Sequence, residues 1–181
     1  MTRQPVRAPV TVLQDAERIA ARVHQMGQEM AQDLPADVMV VSLLKGSFMF
    51  TADLMRALYA HGLTPQIDFM GLSSYGSGTK SSRKVTITQD LSEEVAGHHV
   101  LIVDDILESG RTLNYARNLV LSRGAESVRI AVLLEKPGKL AVQITADYVG
   151  FVIPDQFVVG YGLDYANRYR ELPYIGVLRQ H

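Results

Sequence analysis

Three stretches of this chain are apolar at nearly every position: Val38–Leu44 (V-M-V-V-S-L-L), Val100–Val103 (V-L-I-V) and Ser127–Leu134. Short runs of this kind, rich in β-branched residues, predict strands covered on both faces inside a parallel sheet. Between them the period changes to that of a helix. Ala16, Ile19, Ala20, Val23, Met26 and Met30 follow Asp15, which is placed to cap a helix running to about Asp33. Phe48, Ala52, Met55, Leu58 and Tyr59 predict a second helix over Phe48–His61, and Leu113, Ala116, Leu119 and Val120 a third. Gln66–Leu72 and Val85–Gln89 read as further strands. Ala146–Ile153, Gln156–Tyr161 and Pro173–Arg179 read as a C-terminal series of short ones. Met1–Gln14 is a lead-in and Leu91–Gly97 a connector. Strands that alternate with helices predict an α/β fold, mostly parallel, in one domain spanning residues 1–181.

Composition narrows the classes. A chain of 181 residues that is 47% hydrophobic can bury a substantial core and is neither disordered nor membrane-like. Its apolar runs are far shorter than the roughly 20 residues of a membrane span. Met1–Val10 lacks the apolar region of a secretory signal. Cysteine is absent, which excludes disulfides, thiolate metal sites and cysteine nucleophiles. A net charge of −1 gives no bulk attraction to nucleic acid or to a membrane surface. A cytoplasmic protein is the expectation. His24 reads as an ordinary surface or boundary residue, because no second histidine or acid stands near it at ligand spacing in the sequence.

Chemistry enters where the central strand ends. Asp104 and Asp105 follow Val100–Val103, and Glu108-Ser109-Gly110-Arg111-Thr112 leads into the next helix. Two carboxylates at the carboxyl edge of a buried strand repel each other and lose hydration unless a cation or a ligand sits with them. In open α/β sheets that edge is where ligands bind. The turn that follows offers hydroxyls, a glycine and free N–H groups at a helix N-terminus, a setting for an anion. Acid for hydroxyls or a metal, beside amides for a phosphate, points to a sugar phosphate. Four other places stay open on residues alone. Lys45-Gly46-Ser47 reads as a turn with a solvated lysine or as a phosphate loop. Ser73–Lys84 (S-S-Y-G-S-G-T-K-S-S-R-K) reads as an exposed hairpin or as a lid. Lys136, beside Pro137-Gly138, and Phe157 read as a turn residue and a core residue or as parts of a site.

Taken whole, V-L-I-V-D-D-I-L-E-S-G-R-T-L resembles the phosphoribosyl-diphosphate (PRPP) motif of type I phosphoribosyltransferases: apolar strand, two acids, two apolar residues, D-[ST]-G-x-T. L-L-K-G-S resembles the pyrophosphate loop of the 6-oxopurine members, in which a non-proline cis peptide lies at the place of Leu44–Lys45. Ser74-Tyr75 is similar to the Ser-Tyr pair of their mobile loop, and I-P-D-Q-F-V-V-G-Y-G-L-D-Y is characteristic of the hypoxanthine(-guanine) enzymes. The resemblance runs from about Asp15 to Leu178. It implies a mostly parallel twisted sheet flanked by helices, with a core of about 15–145. A small hood over about 146–181 completes it, with a contribution from the N-terminal segment.

The same resemblance assigns roles. Asp104 and Asp105 hold the ribose of PRPP, Ser109, Gly110, Arg111 and Thr112 its 5′-phosphate, and Lys45, Gly46 and Arg170 the pyrophosphate. Lys136 donates to O6 of the purine, Phe157 stacks on its ring and the Val158 backbone meets its edge. Glu108 is the general base, and Asp104, Asp105 and Asp164 serve Mg²⁺. Ser74 and Tyr75 belong to the lid. The implied partners are PRPP and a 6-oxopurine, and the implied assembly is a homodimer or homotetramer. Three positions depart from the common pattern: Glu108 replaces Asp, Arg111 replaces Lys, and Asp104 stands where Glu is frequent. The alternatives are an RNA-binding regulator on the same fold, or the same transfer to xanthine or uracil.

Overall fold

The structure, a computed structural model, describes residues 9–75 and 84–179, with Ser74, Tyr75 and Lys84 described by their backbone alone. Two sheets make up the fold. The larger one contains β2 (Met39–Leu44), β3 (Gln66–Tyr75), β4 (Lys84–Gln89), β5 (His99–Leu107), β6 (Ser127–Glu135) and β7 (Tyr148–Val152), in the order β4-β3-β2-β5-β6-β7. All neighbours are parallel except β3 and β4. The smaller sheet has the order β1-β9-β8 and joins β1 (Val10–Gln14), β9 (Ile175–Leu178) and β8 (Val158–Val159) in antiparallel fashion.

The all-apolar strands lie where their composition requires. Val40, Val41, Leu101, Ile102, Ala131 and Val132 are fully buried. Residues alternate along each strand, so one set faces α1 (Ala16–Asp33) and α2 (Phe48–Ala60), and the other faces α3 (Arg111–Ser122). Asp15 caps α1 by accepting from the Arg18 N–H at 2.8 Å, and Ile19, Val23, Met26 and Met30 form its buried stripe. The chain leaves β2 through α2 toward β3 on one side, and leaves β5 through α3 toward β6 on the other. The two connections diverge between β2 and β5. That point opens a crevice at the carboxyl ends of these strands.

Three boundaries differ from the sequence reading. The stretch placed at the start of the hood, Ala146–Ile153, supplies β7, which extends the large sheet by pairing with β6 (Ala131 opposite Tyr148, Glu135 opposite Val152). Its pattern suits that place, because Tyr148 must be buried against α1 while Val152 stays exposed at the sheet's edge. The lead-in forms β1, with Val10 opposite Leu178. Finally, β5 runs past Val103 to Leu107, so the two acids sit inside the strand, and Asp104 is opposite Val132.

Candidate active site

The loop after β2 begins with a cis peptide between Leu44 and Lys45. Beneath it lie three buried hydroxyls. The Ser42 hydroxyl is 2.8 Å from that of Ser47 and 2.8 Å from that of Thr51, and Ser47 donates to the Leu43 carbonyl at 2.5 Å. A buried network in which every member is satisfied fixes a backbone closely. Lys45 stays exposed at its tip. A Cβ at Gly46 would overlap the Asp105 carboxylate, so a side chain there would displace that acid from its place. The Gly46 carbonyl in turn packs on Gly162, where a side chain would overlap it. Three segments distant in sequence therefore meet at Gly46.

Asp104 and Asp105 occupy the end of β5. Both carboxyls are pushed above the ordinary carboxylate range by removal from water, Asp104 strongly because the charge of Asp105 adds to its burial. Hydrogen bonds and the positive charge of Arg170 partly offset the rise at Asp105. Gly110 enters α3 in the left-handed conformation, φ 75°, and a Cβ there would stand 2.5 Å from a methyl of Ile144. This turn leaves Ser109, Gly110 and Thr112 lining a cleft of about 300 Å³ together with Lys45, Gly46, Asp104, Asp105, Asp164 and Arg170. Arg111 does not line it; this position contributes the first helical N–H.

The hood adds the opposite wall. Arg170 donates to the Gly162 carbonyl at 2.6 Å and pairs with Asp164 at 2.9 Å, and Asp164 also accepts from the Asn167 N–H at 2.7 Å. A second cleft of about 400 Å³ shares Asp105, Ile106, Glu108 and Asp164 with the first and continues to Lys136, Phe157 and Val158. Lys136 is only 7% exposed, yet its ammonium lies 3.5 Å from Glu108, which is 47% exposed. Phe157 is not a core residue. It is 42% exposed, and its ring meets the edge of Tyr165 at 5.7 Å.

The candidate residues thus converge from six separate stretches, with two exceptions. The Arg111 side chain stays outside, and the lid stretch Ser73–Lys84 lies mostly outside the described residues, with Ser74 and Tyr75 ending β3. Sequence reasoning passed over Ser42 and Thr51 beneath the loop and Ile106, Leu163, Asp155 and Gln156 around the second cleft. It also passed over the Glu108–Lys136 and Asp164–Arg170 pairs. A signal was present for Asp155, Gln156 and Leu163 in the string I-P-D-Q-F-V-V-G-Y-G-L-D-Y, and for Ile106 in the string D-D-I-L. Among the described residues no three His, Cys, Asp or Glu side chains gather as a metal cage. The donor set still fits Mg²⁺, which takes one or two carboxylates and completes its octahedron with water and substrate oxygens.

Comparison with known proteins gives a consistent picture. Residues 10–166 match the family model described as a phosphoribosyl transferase domain. The chain is 45% identical over 170 residues to hypoxanthine phosphoribosyltransferase of Escherichia coli, covering 92% of this chain and 94% of that protein. It is 46% identical over 169 residues to the bifunctional protein TilS/HprT of Listeria monocytogenes, covering 93% of this chain but only 26% of that longer protein. Among solved structures, a Trypanosoma cruzi hypoxanthine phosphoribosyl transferase superposes with a TM-score of 0.89 at 40% identity, covering 98% of this chain and 95% of the other. A Staphylococcus aureus hypoxanthine phosphoribosyltransferase gives 0.87 at 44%, covering 93% and 90%.

Proposed function

The chain belongs to the phosphoribosyl transferase domain family, among the hypoxanthine and hypoxanthine-guanine phosphoribosyltransferases, and on that premise we propose that it moves the 5-phosphoribosyl group of PRPP to N9 of a 6-oxopurine in purine salvage. Hypoxanthine is the acceptor, with guanine a second. The products are the nucleoside monophosphate and pyrophosphate. One observation carries the reading: two clefts, one lined by an anion-binding turn and one by a lysine and an aromatic ring, share Asp105 and Glu108.

Each residue then has a task. Ser109, the Gly110 and Arg111 amides and Thr112 anchor the 5′-phosphate at the α3 N-terminus. Asp104 and Asp105 hold the ribose hydroxyls as C1 acquires oxocarbenium character. Lys45, the Gly46 amide and Arg170 take charge on the departing pyrophosphate. Phe157 stacks on the purine, Val158 presents its backbone to the base edge, and Lys136 donates to O6. Glu108 accepts the N7 proton as N9 attacks C1. Holding both partners in adjoining clefts makes the step effectively unimolecular. A magnesium ion held by Asp104, Asp105 and Asp164 with substrate oxygens would neutralise charge on the pyrophosphate.

We place the activity in the cytoplasm, in keeping with a chain free of cysteine. Among the described residues no helix is long and apolar enough to cross a membrane. We also propose a homodimer or homotetramer, supported by the exposed Phe48 and Tyr59 of α2 and Ile67 of β3; light scattering on the purified chain tests it. The activity itself is tested with radiolabelled hypoxanthine, guanine, xanthine, uracil and adenine, each with PRPP and Mg²⁺. Hypoxanthine turns over, and adenine is poor because its 6-amino group cannot accept from Lys136. Equal use of uracil, or retention of RNA without any turnover, defeats the proposal.

A further inference from the structure

On the α1/α2 face of the large sheet, away from both clefts, the two helices approach closely at one point. Gly27 lies against Ala57 there, and a Cβ on it would stand 2.8 Å from the Ala57 Cβ and 2.9 Å from the Ala57 carbonyl carbon. His24 stands about one turn before Gly27 on α1, and His61 about one turn after Ala57, at the C-cap of α2. The helices run in opposite senses past the contact, so these two positions lie side by side. The tight crossing holds them there. His61 Nε2 and His24 Nδ1 are 3.2 Å apart, and the ring centroids are 4.7 Å apart with planes inclined by 34°. His24 is exposed and His61 half-buried, so solvent reaches the pair.

That spacing has a chemical meaning. Two imidazole nitrogens bound to one ion at about 2.0–2.1 Å in neighbouring coordination positions stand roughly 3 Å from each other. The centroid separation is also shorter than a head-on arrangement of two rings would give at this N···N distance. The ring axes therefore bend off the line between the nitrogens, as convergence on a third point requires. We propose that His24 and His61 form a two-imidazole site for a borderline divalent transition ion, of which Zn²⁺ is the representative, with water completing the coordination. Each nitrogen must offer a lone pair. In the ion-free pair one of them carries the proton of the hydrogen bond. On binding, that proton moves through solvent to the other nitrogen of the same ring, so two neutral rings take up the ion with no net proton release. No carboxylate completes a cage of three such groups among the described residues, so the site does not retain Mg²⁺, which prefers oxygen. Because both ligands are in place only in the folded chain, the ion ties α1 to the end of α2 and stabilises the fold by mass action.

The test is calorimetric titration of the full chain with Zn²⁺, comparing wild type with His24→Ala, His61→Ala and the double variant. Any zinc taken up by the acids of the cleft is common to all four proteins. The wild type shows one binding event that either single variant weakens by at least about tenfold, a loss that even supporting groups around metal ligands can produce. The double variant falls no further than the singles, and Mg²⁺ produces no event that depends on either histidine. Zinc raises Tm in the wild type by more than in the variants. Should an alanine variant fail to fold by circular dichroism, His24→Gln and His61→Gln replace it. Titrations identical to wild type in both single variants overturn the proposal. So does loss in one variant only, since the ion would then be held without the second ring.

Discussion

Glu108 and Lys136 illustrate what a single side chain decides in this site. The glutamate is one methylene longer than the aspartate common at this place, and the extra length brings its carboxylate to 3.5 Å from a lysine that is otherwise buried. Glu108→Gln keeps the shape and removes the basicity. The expected outcome is a fall in kcat of about 10²-fold or more, within the range of acid–base groups, with KM for PRPP little changed; a rate near wild type excludes the role. Asp104 carries the opposite lesson, because the burial of its charge opposes stability. Its carboxyl is held well above the ordinary range by desolvation and then by Asp105. From about 3.9, the ordinary carboxylate value, up to that raised value, the folded chain binds more protons than the unfolded one. Stability therefore falls as pH rises through the window. Asp104→Asn removes this fall while its amide oxygen can still accept from the Asp105 N–H. The variant shows a higher Tm than wild type, with an advantage that grows from about pH 4 upward, and a lower kcat/KM. An unchanged Tm profile shows that the pair is not strained by its burial.

Elements in this fold are positioned by close backbone approaches. The contact of Gly46 with Asp105, and of Gly162 with the Gly46 carbonyl, locks the β2 loop, the β5 end and the hood together. The contact of Gly27 with Ala57 sets the distance between α1 and α2. Gly27→Ala drives a methyl into the Ala57 side chain and backbone, and overpacking of this kind costs about 1–3 kcal/mol. Chemical denaturation should show that loss with activity per folded molecule retained, since the cleft lies elsewhere; full stability would mean that the helices separate freely. Element existence was largely legible in the sequence. The Ile19, Val23, Met26 and Met30 stripe, the V-L-I-V run and the Asp15 cap each determine local structure from local composition. Strand ends and sheet membership were less so. An alternating stretch such as Tyr148–Val152 suits either sheet, and only pairing with β6 selects one. The strand at Val10–Gln14 has no strong pattern of its own and forms because β9 offers it an edge.

Across the whole molecule, the switch between β2 and β5 brings the loop at Lys45 and Gly46 to the turn at Ser109–Thr112, and the hood brings Asp164 and Arg170 to them. On the proposed assignment, a divalent ion at Asp104, Asp105 and Asp164 would depend on substrate oxygens for the rest of its shell, since no three acids gather as a cage among the described residues. Turnover should therefore vanish in excess EDTA and return with Mg²⁺, whereas Tm without substrate should move little; full activity in EDTA excludes the ion from the reaction. By itself the sequence determined the class of fold, the order of its elements and the identity of the chemical groups. Those depend on local periodicity and on short strings such as D-D-I-L-E-S-G-R-T, in which neighbours in the chain remain neighbours in space. Only the tertiary structure decided which groups touch: Glu108 with Lys136, Asp164 with Arg170, Gly46 with Asp105 and Gly162, and His24 with His61 across 37 residues of chain. Such pairings are set by how close two backbones come when their elements pack, a quantity that no residue's own pattern carries.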